Sequence, residues 1–250
     1  MRVVIPSRRR VQSCARALRL FPDATVCVDV AEEPDYAPIC ERAGVELLLH
    51  PSSVAGIGPL RQWILDNVED ETVFMVDDDV SCMGAVAGRA THSATIRDPE
   101  IIRLIVENAE TCARDLGTPV FGFSQNGADV RKFRPQDPFV LSTWVGGAIG
   151  IIGRDLRYDT ELRLRADIDY CLQTLLKYRC VFVDNRYALV HQRFNNTGGN
   201  AHQRSGERNA HELAYLKRKW GKWLEIRPVK ETVLLRISRV RRRQSIKVQD

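Results

Sequence analysis

Thr72-Val73-Phe74-Met75-Val76-Asp77-Asp78-Asp79-Val80 is an apolar run that ends in three consecutive acids. The run reads as a β-strand, and the acids then stand at the carboxyl edge of a sheet. Strand side chains alternate, so Asp77 and Asp79 share one side. Two hard oxygen ligands at that spacing suit Mg²⁺ or Mn²⁺. Such ions keep open positions for substrate phosphates, so the pair implies a nucleotide diphosphate bridged by metal. An acidic turn after a strand is the alternative that an isolated Asp-x-Asp leaves open.

The surroundings of this stretch set the fold class. Upstream, Val3-Val4-Ile5 reads as a strand closed by Pro6-Ser7, followed by a helix over 10–20. A strand from Ala24 to Val30 precedes a helix over 35–43 ended by Gly44, and a strand from Val45 to Leu49 precedes a helix over 59–68. This βαβαβαβ series predicts an α/β protein with a mostly parallel sheet covered by helices. Right-handed crossovers place the strands' carboxyl ends, and any ligand site, along one edge.

Downstream, Asp98 caps and Pro99 starts a helix whose apolar positions keep a helical period until Gly117. Val120–Phe123 and Trp144–Ile152 read as strands, the second with Gly146, Gly147 and Gly150 permitting close backbone approach. A helix over 167–178 and short strands at Cys180–Val183 and Ala188–Val190 follow. Asn195 to Arg208 is too polar for a core and reads as a loop.

The chain has 250 residues, 44% hydrophobic and 28% charged, which fits one globular domain and excludes a mainly disordered, collagen-like or coiled-coil chain. No apolar run approaches the roughly 20 residues that cross a bilayer, and the start lacks a long apolar leader, so a cytoplasmic protein away from membranes is expected. Seven cysteines without a Cys-x-x-Cys pair read as reduced, buried thiols. The net charge of +5 is unevenly spread: residues 1–129 hold 12 basic against 20 acidic side chains, and residues 130–250 hold 25 against 12. Of the 37 basic residues 30 are arginine, whose planar fork suits phosphates. A polyanion at the C-terminal half and an Arg-rich genomic composition both account for that bias.

Strand, acidic triplet and preceding βαβ units together resemble a GT-A glycosyltransferase, a Rossmann-like α/β domain. The likeness covers residues 1–225: a nucleotide-sugar half at 1–130 and an acceptor half with a smaller sheet at 131–225, leaving 226–250 as a basic tail. It implies that Asp77 and Asp79 bind the metal, with Asp78 nearer the ribose or sugar. Ile5-Pro6-Ser7-Arg8 matches the base-binding loop, Asp29 the position of an acid contacting the base, and Gly56-Ile57-Gly58-Pro59-Leu60-Arg61 a glycine loop with Arg61 facing the nucleotide. Arg165-Ala166-Asp167-Ile168-Asp169-Tyr170 resembles the segment that supplies the catalytic carboxylate, with Ala-Asp where Glu-Asp is usual. Asp167 is thus the candidate base, or a helix N-cap; Asp169 one turn in suits the helix dipole. His191 after a strand stands where the fold provides a third metal ligand, with a structural histidine as the alternative.

Gly146-Gly147 resembles the acceptor-side strand, and Trp144 either stacks on a sugar or base or packs in the core. Trp220 and Trp223 form either a basic aromatic platform or the amphipathic end of a helix. The combination of Val4-Ile-Pro-Ser-Arg8, Gly56-Ile-Gly-Pro-Leu-Arg61, Val76-Asp-Asp-Asp-Val80 and His191-Gln-Arg-Phe-Asn-Asn-Thr-Gly-Gly199 looks most like phage-associated glycosyltransferases linked to TET/J-type base hydroxylases. That resemblance implies a phage-encoded enzyme of the host cytoplasm, with UDP-glucose as donor and 5-hydroxymethylcytosine in DNA as acceptor. Arg193, Arg204 and Arg208 are then candidates to hold the DNA strand, or simply a solvated charged loop. Rival readings are an enzyme of the same fold with a polysaccharide, lipid or small-molecule acceptor, a non-catalytic nucleotide- or nucleic-acid-binding module, and a nucleotidyltransferase. The sequence leaves the stereochemical outcome and the oligomeric state open.

Overall fold

The computed structural model describes residues 1–86, 93–125, 128–191, 206–227 and 232–235. Strands β1 (Arg2–Pro6), β2 (Thr25–Asp29), β3 (Leu47–His50) and β4 (Thr72–Val76) alternate with helices α1 (Val11–Ala17), α2 (Glu33–Ala43) and α3 (Ile57–Asn67). Gly44 closes α2 in the left-handed conformation, as expected. The chain continues through β5 (Val80–Ala85), β6 (Ala94–Ile96), α4 (Pro99–Asp115), β7 (Val120–Phe123), β8 (Phe139–Val140) and β9 (Ala148–Ile152). It ends with α5 (Ala166–Tyr178), β10 (Phe182–Asp184), β11 (Tyr187–His191), α6 (Gly206–Trp220), β12 (Leu224–Arg227) and β13 (Thr232–Leu235). The Asp98 carboxylate caps α4 by accepting from the Glu100 amide.

Eight strands form the main sheet in the order β3-β2-β1-β4-β9-β7-β10-β8. From β1 the chain adds β2 and β3 on one side and then returns to place β4 on the other. The sheet's topological switch point, where open α/β sheets bind ligands, therefore lies between β1 and β4. β9 runs antiparallel to both β4 and β7 and so joins the two halves expected at 1–130 and 131–225 in one sheet. The strand expected from Trp144 begins only at Ala148, because Gly147 (φ +74°) turns the chain before it.

Alternation along β4 divides the core. Val73 and Met75 face α3 and α5, whereas Phe74 and Val76 face α1, α2 and α4. β11, β5 and β6 make a separate antiparallel sheet; a smaller sheet is present as the resemblance anticipates, but β5 and β6 come from the 1–130 half and only β11 from 131–225. The tail expected from 226 begins inside β12, and the β12–β13 hairpin packs Leu224 and Val233 into the α3–α5 side of the core. All seven cysteines are free, and no described helix is long and apolar enough to cross a membrane.

Candidate active site

A cleft of about 640 Å³ opens at the carboxyl ends of β1 and β4. Within the acidic triplet the three carboxylates have different surroundings. Asp78 is buried and faces inward: its Oδ2 accepts from Ser7 Oγ at 2.6 Å and its Oδ1 from Arg10 Nη1 at 3.1 Å. Burial pushes its carboxyl up to about 6, against the pull of Ser7 and Arg10. Both oxygens bond to the loop after β1, and Asp78 is also among the residues that line the cleft.

Pro6, Ser7 and Arg8 line the cleft as expected, and Arg10, His50 and Gln125 line it as well. His50 ends β3 at the carboxyl edge, the same positional rule that singled out Asp29 after β2, but one residue past the strand read from the sequence. Asp29 is not in the cleft lining; it caps the short helical turn after β2 and accepts from the Ala31 amide and Ser52 Oγ. Gly58 is also outside the lining. A methyl group there would lie 2.2 Å from the Leu162 carbonyl oxygen, so it is the glycine that lets α3 pack against the segment before α5. Arg61, three residues on, is 2% exposed and lines the cleft, with Nη2 3.8 Å from Asp77 Oδ1. Its Nε and Nη1 have no hydrogen-bond partner among the described residues.

Asp77, Asp79 and His191 bring one ligand atom each within 4.8 Å of one another, a set able to hold a metal ion. His191 Nδ1 lies 2.8 Å from Asp79 Oδ1, a carboxylate–imidazole pairing that fixes the ring and leaves Nε2 to a cation. That nitrogen points at Gly147, where a methyl group would lie 3.0 Å from His191 Nε2 and 3.5 Å from Asp77 Oδ2. The Gly147 carbonyl accepts from the Asp77 amide at 2.7 Å. Two hard carboxylates and an imidazole gathered within 4.8 Å fit Mn²⁺ or Mg²⁺, and His191 and Asp77 border the space that a Cβ at Gly147 would enter.

Asp167 lies one residue inside α5. The capping position belongs to Arg165, which makes no side-chain cap, so Asp167 is not the N-cap. A methyl group at Gly146 would lie 2.5 Å from Asp167 Oδ2 and 2.9 Å from the Trp144 ring. Burial pushes the Asp167 carboxyl up while the Arg61 guanidinium pulls it down. Trp144 is half-buried: it packs against the core and also lines the cleft. Gln125 Nε2 donates to the Gly146 carbonyl at 2.9 Å and fixes this floor.

Asp169, an acid in the first turn of α5, is fully buried and accepts from Trp220 Nε1, Lys219 Nζ and Gln173 Nε2, and so also anchors α6. Trp220, the last residue of that helix, and Trp223, in the short turn after it, both pack on the core. Arg208 stands in the first turns of α6 instead of in a loop, and Arg193 and Arg204 lie outside the described residues.

A central sheet with its ligand cleft at the β1–β4 switch point, an acidic triplet closing β4 and a smaller antiparallel sheet beside it define a GT-A glycosyltransferase fold. The chain belongs to the TET-associated glycosyltransferase family, whose pattern it matches over residues 1–199. Among solved structures it resembles Staphylococcus aureus TarS residues 1–349 in complex with UDP-GlcNAc (12% identity, 86% of this chain and 65% of that one, TM-score 0.54). TarS 1–349 alone gives 13% identity, 76% and 60% coverage and a TM-score of 0.51. The chain thus spans less than two thirds of those TarS chains, and the likeness is one of fold. No curated protein sequence matches it.

Proposed function

We propose that the protein transfers glucose from UDP-glucose to the hydroxymethyl oxygen of 5-hydroxymethylcytosine in DNA, using Mn²⁺ or Mg²⁺ held by Asp77, Asp79 and His191. The observation that carries the reading is the Gly146-Gly147 step. Asp167 and Trp144 flank the first glycine, and His191 and Asp77 flank the second. Consecutive Cα atoms are about 3.8 Å apart, so a proton acceptor and a site for a cation-bound diphosphate serve one reaction centre.

When bound, the ion would supply positive charge against the departing diphosphate. The chain's own groups would do the rest. Asp167 Oδ2 takes the proton of the acceptor hydroxyl as that oxygen bonds to the anomeric carbon. The bond from that carbon to the diphosphate oxygen breaks, UDP leaves, and the configuration inverts. A carboxyl raised by burial is a stronger base near neutral pH than an ordinary aspartate. Trp144 offers an aromatic face on which a pyrimidine can stack, as nucleic-acid bases stack on aromatic side chains elsewhere. Reaching a base in duplex DNA requires turning it out of the stack, at a cost of a few kcal/mol. The TET association of the family supports an oxidised pyrimidine as acceptor, and the basic C-terminal half supports a polyanion.

Nucleoside mass spectrometry tests the reading. DNA containing 5-hydroxymethylcytosine, incubated with the protein, Mn²⁺ and a panel of nucleotide sugars, is expected to gain a hexose mass on the modified base with UDP-glucose. Chelation should abolish the gain and Mn²⁺ restore it. Metal-dependent hydrolysis of a sugar nucleotide without any gain on DNA would reject the acceptor. Asp167→Asn should lower kcat by about 10²–10⁴-fold and leave UDP affinity within about twofold.

A further inference from the structure

We infer that α6 positions the candidate base through Glu212, which holds the backbone on which Asp167 is mounted. The inference rests on the reading of Asp167 as the base. Glu212 is 3% exposed, and its two oxygens accept three consecutive main-chain amides: Arg163 N on Oε1 at 3.0 Å, and Leu164 N and Arg165 N on Oε2 at 3.0 and 3.1 Å. A carboxylate removed from water is costly unless its lone pairs are filled, and amide hydrogen bonds to a charged acceptor are roughly twice as strong as neutral ones. These amides immediately precede α5, and Asp167 follows two residues after the last of them.

The grip is continuous along one face of α6. Asn209 Oδ1 accepts from Arg165 Nε and Nη2 at 3.0 and 2.6 Å, and Tyr215 and Lys219 donate to Asp159 Oδ2 at 2.8 and 2.6 Å. Residues 209, 212, 215 and 219 recur at helical spacing, so one stripe of α6 holds Asp159 and residues 163–165. From the opposite side the glycine loop holds the same segment: the Arg163 carbonyl accepts from the Ile57 amide at 2.9 Å, and Gly56 leaves no room for a methyl group beside Arg163. With both sides fixed, the direction of Asp167 Oδ2 toward Gly146 depends on Glu212. Leu164, Arg165, Asp167 and Asn209 all line the cleft, so this clamp is the wall of the reaction centre.

Glu212→Gln tests it. The amide is isosteric, but it turns an NH₂ group toward amide donors and keeps a single acceptor oxygen. Kcat for sugar transfer is expected to fall about 10–100-fold, the scale at which misplacement by about 1 Å acts, while KM for UDP-glucose and Mn²⁺-dependent UDP affinity stay within about twofold. In the Glu212→Gln/Asp167→Asn double variant kcat should equal that of Asp167→Asn alone, because no base remains to be positioned. Multiplying losses in the double variant, or parallel losses in kcat and UDP affinity, would make Glu212 a general support of the fold and overturn the inference. Wild-type kcat in Glu212→Gln beside an impaired Asp167→Asn would also overturn it and leave the base in place. Near-wild-type kcat in Asp167→Asn would instead remove the base itself. Should Glu212→Gln fail to fold, Glu212→Asp withdraws the carboxylate by one methylene; the same split at smaller size is expected, and unchanged kcat overturns the inference.

Discussion

Asp79 has two jobs that a single substitution can separate from folding. Its Oδ1 orients His191 and its Oδ2 stands 3.8 Å from Arg10 Nη1, whereas Asp78, its buried neighbour, hydrogen-bonds to both Ser7 and Arg10. Asp79→Asn keeps the volume and removes the charge. It should weaken Mn²⁺ binding by at least about 10–100-fold, the loss expected when only the partner of a metal-binding histidine is removed, and leave Tm near that of the wild type; metal titration and thermal unfolding check this. Gly147 is a second such position. Its φ of +74° costs a non-glycine residue about 1–2 kcal/mol, and a methyl group would press on His191 Nε2. Gly147→Ala should therefore lose metal affinity and turnover well before it loses the fold, a difference the same two measurements report. Asp167 must be ionised to take a proton, and its carboxyl is raised by burial in the free protein. Activity should fall as pH falls, with the acid limb of kcat/KM above the roughly 3.9 of an ordinary aspartate. A limb at or below that value would argue against Asp167 as the base.

At the scale of elements, β4 carries the site and a single arginine secures its entry. Arg154, after β9, donates to five main-chain carbonyls, those of Leu65, Val68, Asp70, Glu71 and Gly153, and so ties the end of α3 and the approach to β4 to the sheet. Arg154→Ala leaves several of these acceptors without a partner and should cost about 1–3 kcal/mol, seen as a Tm drop of several degrees, with Lys recovering little because a compact ammonium cannot reach five directions. Elements like β4 and α4 were legible in the sequence because their signals are local: an unbroken apolar run, an Asp-Pro start, a Gly stop. The insertion of β9 between β4 and β7, the β11-β5-β6 sheet and the β12–β13 hairpin were not, because each depends on a partner distant in the chain. The same limit divides the candidate site. The apolar run before them could put Asp77 and Asp79 at the carboxyl edge, although both lie in the turn after Val76 and not in the strand, but nothing within a few residues reveals that Ser52 donates to Asp29 or that Gly58 faces Leu162. Glu212 was hidden in a helix whose composition looks solvated, and only the three amides it meets give it a role.

For the molecule as a whole, charge separates two tasks along the chain. Residues 1–129, with 20 acids against 12 bases, build the end that would hold a cation and, through it, a diphosphate. Residues 130–250, with 25 bases against 12 acids, supply α5, α6 and the arginine-rich C-terminus, where a DNA acceptor would lie under the proposed function. A polyanion bound by the second half releases counterions, so log affinity should fall linearly with log salt, by about 0.9 per phosphate neutralised on duplex DNA and about 0.7 on a single strand. Arg241, Arg242 and Arg243 lie outside the described residues, and their contribution can be read from that slope alone. Replacing all three by Ala should weaken DNA binding about equally for modified and unmodified sequences, because backbone phosphates carry affinity without sequence information. The slope should flatten by about 0.9 for each duplex phosphate that the arginines no longer neutralise. At saturating DNA kcat should be unchanged, since these residues are remote in sequence from Asp167 and the metal set. Fluorescence anisotropy across a salt series measures the slope, and an unchanged value would assign the phosphate binding to the rest of the basic half.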